Sequence, residues 1–263
     1  MVKTAADIIV IQNIRKKSMN DLKENERIDD LECNGFCIIQ NPSFFCFGMD
    51  AVLLANFTEV RKNAKGIDLG TGNGIIPILL TAKGKGKDVT GLELQPEIAD
   101  MARRSVKLNK IEDRCHIVNE DIKNISSVFQ RGSFDFVTSN PPYIKEHHGL
   151  NNPNAPVNIA RHEIHVNLEQ VIAGAAFLLR EGGSFSMVHK PFRLPEIMEL
   201  MKKYRLEPKR LQLVEPKAGK EANIVLIEAV KGGGSFLKVL PTLIVYNEDG
   251  SYTDEVLRIY GKG

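Results

Sequence analysis

The stretch Asp135-Phe136-Val137-Thr138-Ser139-Asn140-Pro141-Pro142-Tyr143 gathers groups that could do chemistry. An apolar run opens it and then stops at an amide, two prolines and an aromatic ring, which is how a buried strand reads when it ends in a functional loop. Each proline holds the residue before it in extended geometry and offers no N–H of its own. Asn140 and Pro141 therefore present an amide oxygen and a carbonyl in a narrow range of directions. Tyr143 adds a ring that can stack on a planar substrate, worth about 1–3 kcal/mol for a nucleobase.

A second constellation lies upstream. Asp68-Leu69-Gly70-Thr71-Gly72-Asn73-Gly74 follows an apolar run and precedes a helical segment. Its alternating glycines let the backbone turn sharply and approach a ligand closely, while the helix N-terminus supplies free N–H groups. The spacing departs from the dinucleotide fingerprint, since Ile75 stands where that loop needs glycine, and fits a GxGxG variant. Acids close successive strands: Asp68 the first, Glu93 the second and Asp121 the third. Acids at carboxyl ends beside a glycine loop point to a nucleotide-like ligand.

Such loops need a sheet to hold them. Short apolar runs alternate with helical patterns from 66 to 230, which predicts an α/β, Rossmann-like, doubly wound sheet covered on both faces. Strands are expected at 66–69, 88–92, 115–119, 134–139 and 183–188, with helices at 75–82, 96–109, 168–179 and 194–204. Two further strands, 211–214 and 223–230, are joined closely enough for an antiparallel pair. The expectation is a seven-stranded sheet, mostly parallel, with an antiparallel last pair.

Three regions follow: an N-terminal extension (1–60), the sheet domain (61–231) and a C-terminal extension (232–263). The first holds a hairpin around Asn34-Gly35 and a helix after Phe47-Gly48-Met49, with Asp50 as N-cap and Val52, Leu53, Leu54 and Phe57 as its apolar face. That helix reads either as packing or as a lid over a cofactor. After Gly232-Gly233-Gly234-Ser235 come a strand at 243–246, a turn at 247–250 and a helix from Thr253. This piece is too short to fold alone and is expected to dock on the sheet domain.

Composition excludes more than it proposes. In 263 residues, 35 Lys and Arg barely exceed 33 Asp and Glu, so any basic face must come from clustering. One cluster exists: Lys190, Arg193, Lys202, Lys203, Arg205, Lys209, Arg210, Lys217 and Lys220 meet only Glu196, Glu199, Glu207 and Glu215. No apolar stretch is long enough to span a membrane and no signal-peptide order opens the chain, so a cytoplasmic protein is expected. Cys33, Cys37, Cys46 and Cys115 form no CxxC pair and face no histidine at zinc-finger spacing, and no metal is expected.

Motif by motif, Asp68 through Gly74, Glu93, Asp121 and Asn140 through Tyr143 resemble the class I S-adenosylmethionine-dependent methyltransferases, in the group that methylates exocyclic or amide nitrogens. The resemblance implies S-adenosylmethionine as cofactor. Asp68, Gly70, Thr71, Gly72 and Gly74 would hold its methionine end, Glu93 with Leu94 the ribose, and Asp121 with Ile122 the adenine. Phe47 and Asp50 would belong to the lid, and Asn140, Pro141, Pro142 and Tyr143 to the catalytic loop. An aromatic amine is a poor nucleophile because its lone pair is delocalised, and it gains positive charge as it attacks a methyl sulfonium. Acceptors on its two N–H bonds, the Asn140 oxygen and the Pro141 carbonyl, oppose the first and stabilise the second. No base is needed before attack, and alignment within about 3.5 Å supplies the remaining acceleration.

The same tetrapeptide serves nucleobase amines and the glutamine amide, as in release-factor methyltransferases, and Ile144 leans toward the latter. The remaining landmarks resemble the bacterial tRNA adenine-N6 methyltransferase family that modifies the anticodon loop of a valine tRNA. They are residues 45–54, Ala160-Arg161-His162-Glu163-Ile164, Val188-His189-Lys190-Pro191-Phe192-Arg193-Leu194, Lys220-Glu221-Ala222-Asn223 and Tyr252-Thr253-Asp254-Glu255. The resemblance covers about residues 22–260. It implies RNA, and tRNA in particular, as partner, with Phe45, His147, Arg161, Lys190 and Arg193 touching substrate. Three alternatives stay open: a protein glutamine methyltransferase, an amino-methyltransferase for rRNA guanine or DNA adenine, and a cofactor-binding protein without catalysis. A monomer is expected.

Overall fold

Strand order decides where a ligand can sit, and the order here reverses in the middle of the sheet. The structure, a computed structural model, describes residues 22–44, 46–143 and 167–262. A hairpin of β1 (Arg27–Asp30) and β2 (Cys37–Gln40) comes first, then α1 (Met49–Phe57) and β3 (Lys65–Leu69). The chain continues through α2 (Ile75–Ala82), β4 (Asp88–Glu93), α3 (Pro96–Leu108), β5 (Cys115–Asn119), the single turn α4 (Ile125–Val128) and β6 (Phe134–Ser139). After α5 (Leu168–Leu178) come β7 (Leu179–His189), α6 (Leu194–Lys203), β8 (Leu206–Lys217) and β9 (Ile224–Lys231). The chain ends with β10 (Lys238–Val239), β11 (Leu243–Tyr246) and α7 (Asp254–Ile259). No helix among the described residues is long and apolar enough to cross a membrane.

The large sheet runs β10-β8-β9-β7-β6-β3-β4-β5, and β11 also pairs with β8. Strands β3 to β7 are mutually parallel, whereas β9 lies antiparallel to both β7 and β8. The mostly parallel sheet with its antiparallel last pair is as expected, but nine strands stand where seven were predicted. The reason is β8, which runs from Leu206 through Lys217 with a register shift between Pro208 and Arg210. Its mixed polar pattern concealed that length, and its outer edge takes up β10 and β11, which shields ladder groups that an open edge leaves bare.

Runs of consecutive apolar residues in these strands serve both faces of the sheet. Phe136 and Val188 enter one core with α1 and α2, while Val137 and Met187 enter the other with α5 and α6. Phe134, Phe136 and Phe185 rank among the largest fully buried side chains, each worth about 1.5–3 kcal/mol of burial. They lie on β6 and β7, so the strands that carry Asn140 and His189 are firmly seated. Elsewhere β2 is tied to α3 by Asn109, which accepts from the Cys37 N–H at 2.8 Å and donates to its carbonyl at 2.7 Å. Helix α1 is held at its C-terminus by Lys85, whose ammonium donates to the carbonyls of Ala55, Asn56 and Thr58 at 2.9, 2.7 and 2.6 Å.

Gly66 shows how tightly β3 meets β6. It faces Phe136 in register, and a Cβ added there would fall 2.0 Å from the ring tip. Phe136 is buried and has nowhere to retreat, so Gly66→Ala is expected to lose about 1–3 kcal/mol. Thermal unfolding followed by circular dichroism should register a fall of several degrees, and an unchanged midpoint would contradict this packing.

Candidate active site

The order reversal puts β3 between β4 and β6, and in open α/β sheets the crevice at the carboxyl ends of such strands takes the ligand. Both loops singled out in the sequence open there. Parallel register sets Asp68 beside Thr138 and Leu69 beside Ser139. The Thr138 hydroxyl donates to Asp68 Oδ1 at 2.6 Å and the Ser139 hydroxyl to the Leu69 carbonyl at 2.8 Å. These two hydroxyls bolt the end of the glycine-loop strand to the end of the Asn140 strand.

Beyond Asp68 the loop passes through left-handed backbone at Gly70, Gly72 and Gly74, with φ of 69°, 59° and 85°. A Cβ at Gly70 or Gly72 would meet nothing within 4 Å, so the loop borders open space. At Gly74 it would come 3.2 Å from the Ala102 methyl, so that glycine also admits α3 against the start of α2. The Glu93 carboxylate accepts the Gly72 N–H on one oxygen and the Gln95 N–H on the other, each at 2.9 Å. Asn119 donates to the carbonyls of Glu93 and Leu94, both at 2.8 Å. Asp121 accepts the Lys123 N–H at 2.9 Å, and Ile122 beside it is buried. The three acids thus line one rim.

Three buried polar atoms at this rim have no hydrogen-bond partner among the described residues: Asp68 Oδ2, Thr71 Oγ1 and Asn73 Nδ2. Each such atom costs about 1–3 kcal/mol. A polar ligand carrying both donors and acceptors, as an amino-acid end does, would satisfy them. Burial pushes the Asp68 carboxyl up to about 7, opposed by the bonded Thr138 hydroxyl and by the Thr71 hydroxyl, which lies near it without a well-formed bond, and reinforced by the nearby Glu93 charge. A cationic ligand group is the natural complement to it.

Asn140 is half-buried, Pro141 buried and Pro142 exposed. The Tyr143 hydroxyl reaches the carboxylate of Asp50 and, at 2.9 Å, Asn140 Oδ1. Its ring lies 5.2 Å from that of His189, tilted by 58°, with the Lys190 ammonium 4.8 Å from its centroid. The ring offered for substrate stacking therefore makes its contacts inside the protein. Burial and the Asp50 charge raise the Tyr143 phenol well above its ordinary value. Burial, helped by the charges of Arg193 and Lys190, drives His189 down to about 4. Its Nδ1 accepts the Lys190 N–H at 2.7 Å. Tyr143 is thus a protonated donor at neutral pH and His189 an uncharged ring.

Several expectations need correction. Asp50 is not the N-cap of α1: that position falls to Gly48, which makes no side-chain cap bond, and the Asp50 carboxylate turns to Tyr143 instead. Phe47 packs against the core under α1 and donates its N–H to Gln40 Oε1 at 3.2 Å. Arg193, expected on RNA, is buried and grips Glu196 with two bonds of 2.8 Å. The basic cluster is largely spoken for as well: Lys203 pairs with Glu169, Arg205 with Glu181, and Arg210 with Glu228 and Glu59. Lys209 and Lys217 donate to the carbonyls of Gly234 and Glu248. Lys190 stands at the carboxyl end of β7 with its ammonium 4.8 Å from the Tyr143 centroid. Phe45, His147 and Arg161 lie outside the described residues, as does the loop 145–156.

Sequence reasoning missed Thr138, Ser139, Asn73 and His189 as site residues. A signal existed for the first two, since adjacent hydroxyls inside an apolar strand must find partners. For His189 the hints were its place just past the predicted strand 183–188 and its presence in the landmark Val188 to Leu194.

Comparison with known proteins adds to this geometry. A family model described as the methyltransferase small domain matches residues 38–206. A Porphyromonas gingivalis protein named tRNA1(Val) (adenine(37)-N6)-methyltransferase is 30% identical over 197 residues, which cover 73% of this chain and 76% of that protein. Among solved structures, a predicted O-methyltransferase of Agrobacterium tumefaciens superposes with a TM-score of 0.65 at 24% identity, over 81% of this chain and 96% of that one. TYW2 of Pyrococcus horikoshii in complex with MeSAdo gives 0.57 at 16% identity, over 80% and 73%. These two likenesses establish the fold.

Proposed function

The chain belongs to the methyltransferase small domain family, and on that premise we propose that it transfers a methyl group from S-adenosylmethionine to the exocyclic N6 amine of an adenine in a tRNA anticodon loop. The observation that carries this reading is the bonded adjacency of the Asp68 and Asn140 strand ends. Groups seated on the two ends are neighbours, separated by one strand spacing of about 4.8 Å.

Bound S-adenosylmethionine supplies a methyl group on positively charged sulfur. In this reading Asp68, Gly70, Thr71, Gly72 and Gly74 hold the methionine end, and the unpaired atoms of Asp68, Thr71 and Asn73 find partners there. Glu93, whose carboxylate is oriented by the Gly72 and Gln95 N–H groups, takes the ribose in this reading. Leu94, Asp121 and Ile122 border the base. Asn140 Oδ1 and the Pro141 carbonyl accept from the adenine amine, oppose delocalisation of its lone pair and stabilise the positive charge that grows on nitrogen. With His189 uncharged and Tyr143 protonated, neither side chain has to act as base; the proton leaves once nitrogen is cationic.

RNA as substrate draws support from the name of the Porphyromonas relative and from single-stranded loops, whose base edges are open to a pocket. In this reading Lys190, whose ammonium lies 4.8 Å from the Tyr143 centroid, puts a cation at the same end of the sheet. The test uses the purified chain, labelled S-adenosylmethionine, and tRNA from cells lacking the protein. Nuclease digestion and mass analysis should yield N6-methyladenosine. Label appearing in a protein fraction and not in RNA would move the substrate to a glutamine amide.

A further inference from the structure

Asp50 sits in the first turn of α1, a helix buried almost all round through Ala51, Val52, Leu53, Leu54, Ala55 and Phe57. Its backbone is therefore fixed, and its carboxylate is aimed at the Tyr143 hydroxyl. That hydroxyl also touches Asn140 Oδ1 at 2.9 Å. A hydroxyl has one proton to give, and an ionised carboxylate accepts far more strongly than a neutral amide oxygen. Whichever acceptor takes the proton leaves the other facing a lone pair.

We propose that Asp50 is a positioning residue: by claiming the Tyr143 hydroxyl proton, it keeps that hydroxyl from occupying the Asn140 carbonyl oxygen, which stays available to the N–H of the substrate amine. This rests on the methyl-transfer reading and assigns Asp50 a role in the acceptor half of the site, away from the cofactor. The arrangement is one-directional. The negative end is anchored on a buried helix, the phenol is kept protonated by burial and by Asp50 itself, and the His189 ring and Lys190 ammonium flank the tyrosine ring. Without Asp50, the Tyr143 proton turns to Asn140 Oδ1 and competes directly with the substrate.

A double-mutant cycle tests this, because residues acting in one chain of contacts are not additive. Asp50→Ala is expected to lower kcat about 10- to 100-fold, the worth of one compromised hydrogen bond to a developing charge. KM for tRNA and the affinity for S-adenosylmethionine should stay within about twofold. In a Tyr143→Phe background, where no hydroxyl remains to misdirect, Asp50→Ala should cost nothing further. Asp50→Asn, with a neutral acceptor in place, should fall between wild type and Asp50→Ala, and it serves if the alanine variant unfolds. Equal losses in both backgrounds overturn the relay, and so does a large loss of cofactor affinity on Asp50→Ala, which would return the residue to a cofactor lid. A wild-type chain that transfers no methyl to tRNA overturns the functional reading and the relay with it; additivity in an active chain overturns the relay alone.

Discussion

Asn140→Ala lowers the rate of methyl transfer by at least about 10²- to 10³-fold, on the scale of deleting one preorganised group from a transition-state site, and leaves cofactor affinity within about twofold. The separation follows from what each half of the site rests on. The Asn140 amide faces the Tyr143 hydroxyl at 2.9 Å, whereas the glycine loop is held through Asp68, Glu93 and Leu92 by bonds to Thr138, Gly72, Gln95 and Thr71. No bond to the Asn140 side chain contributes to that second set. Single-turnover transfer of tritiated methyl to tRNA and calorimetric titration with cofactor read the two quantities. A variant that keeps a tenth of wild-type rate would remove Asn140 from the acceptor role, and a parallel loss of cofactor affinity would place it in the wrong half of the site.

Asp68 carries the second large effect, through pH. Its carboxyl, ordinarily near 3.8, is pushed up to about 7 chiefly by burial. The folded state therefore binds a proton that the unfolded chain has lost between those values, and stability declines as pH rises through that window. At about 1.4 kcal/mol per pKa unit the full penalty of the ionised group is about 4 kcal/mol. His189 acts in the opposite sense: burial lowers it from 6.5 to about 4, so between those values the unfolded state binds the extra proton and stability rises with pH. The two slopes nearly cancel from about pH 4 to 6.5 in the unliganded wild type. Asp68→Asn removes one of them, so the variant should gain about 3 kcal/mol between pH 4 and 6.5 where the wild type stays flat. Urea unfolding at half-unit pH steps checks this, and identical profiles for the two proteins would show that Asp68 ionises normally. The variant should also bind S-adenosylmethionine weakly, since the methionine ammonium loses its anionic partner. In the wild type, cofactor binding at pH 6 should release protons, because a cation beside Asp68 draws its carboxyl down.

The sheet was legible because its apolar runs are continuous and bounded. Ile67 and Leu69, or Phe136 and Val137, can sit only in strands covered on both sides, and the glycine loop and strand-end acids fall at one edge once those strands are parallel. What stayed hidden was contact across the chain. Asp50 and Tyr143 are 93 residues apart, and a Gly-Met-Asp sequence before an apolar helix signals a cap, which the fold declines to use. The basic cluster misled for a related reason. Arg193 and Glu196 stand three residues apart and pair, but Arg210 meets Glu59 and Glu228 only after the sheet forms, so a count of local charge overstated the cations left for RNA.

The Thr138 and Ser139 hydroxyls have one more consequence. Transfer of a methyl group tolerates little variation in the gap between donor and acceptor, and two loops hung from separate parts of a molecule would each contribute their own thermal wander to that gap. Here both loops leave adjacent strands that are bonded within a single residue of their exits. Breathing of the sheet moves the two together, as common-mode motion that drops out of their difference. The gap can then be held more steadily than either loop is held against the rest of the protein.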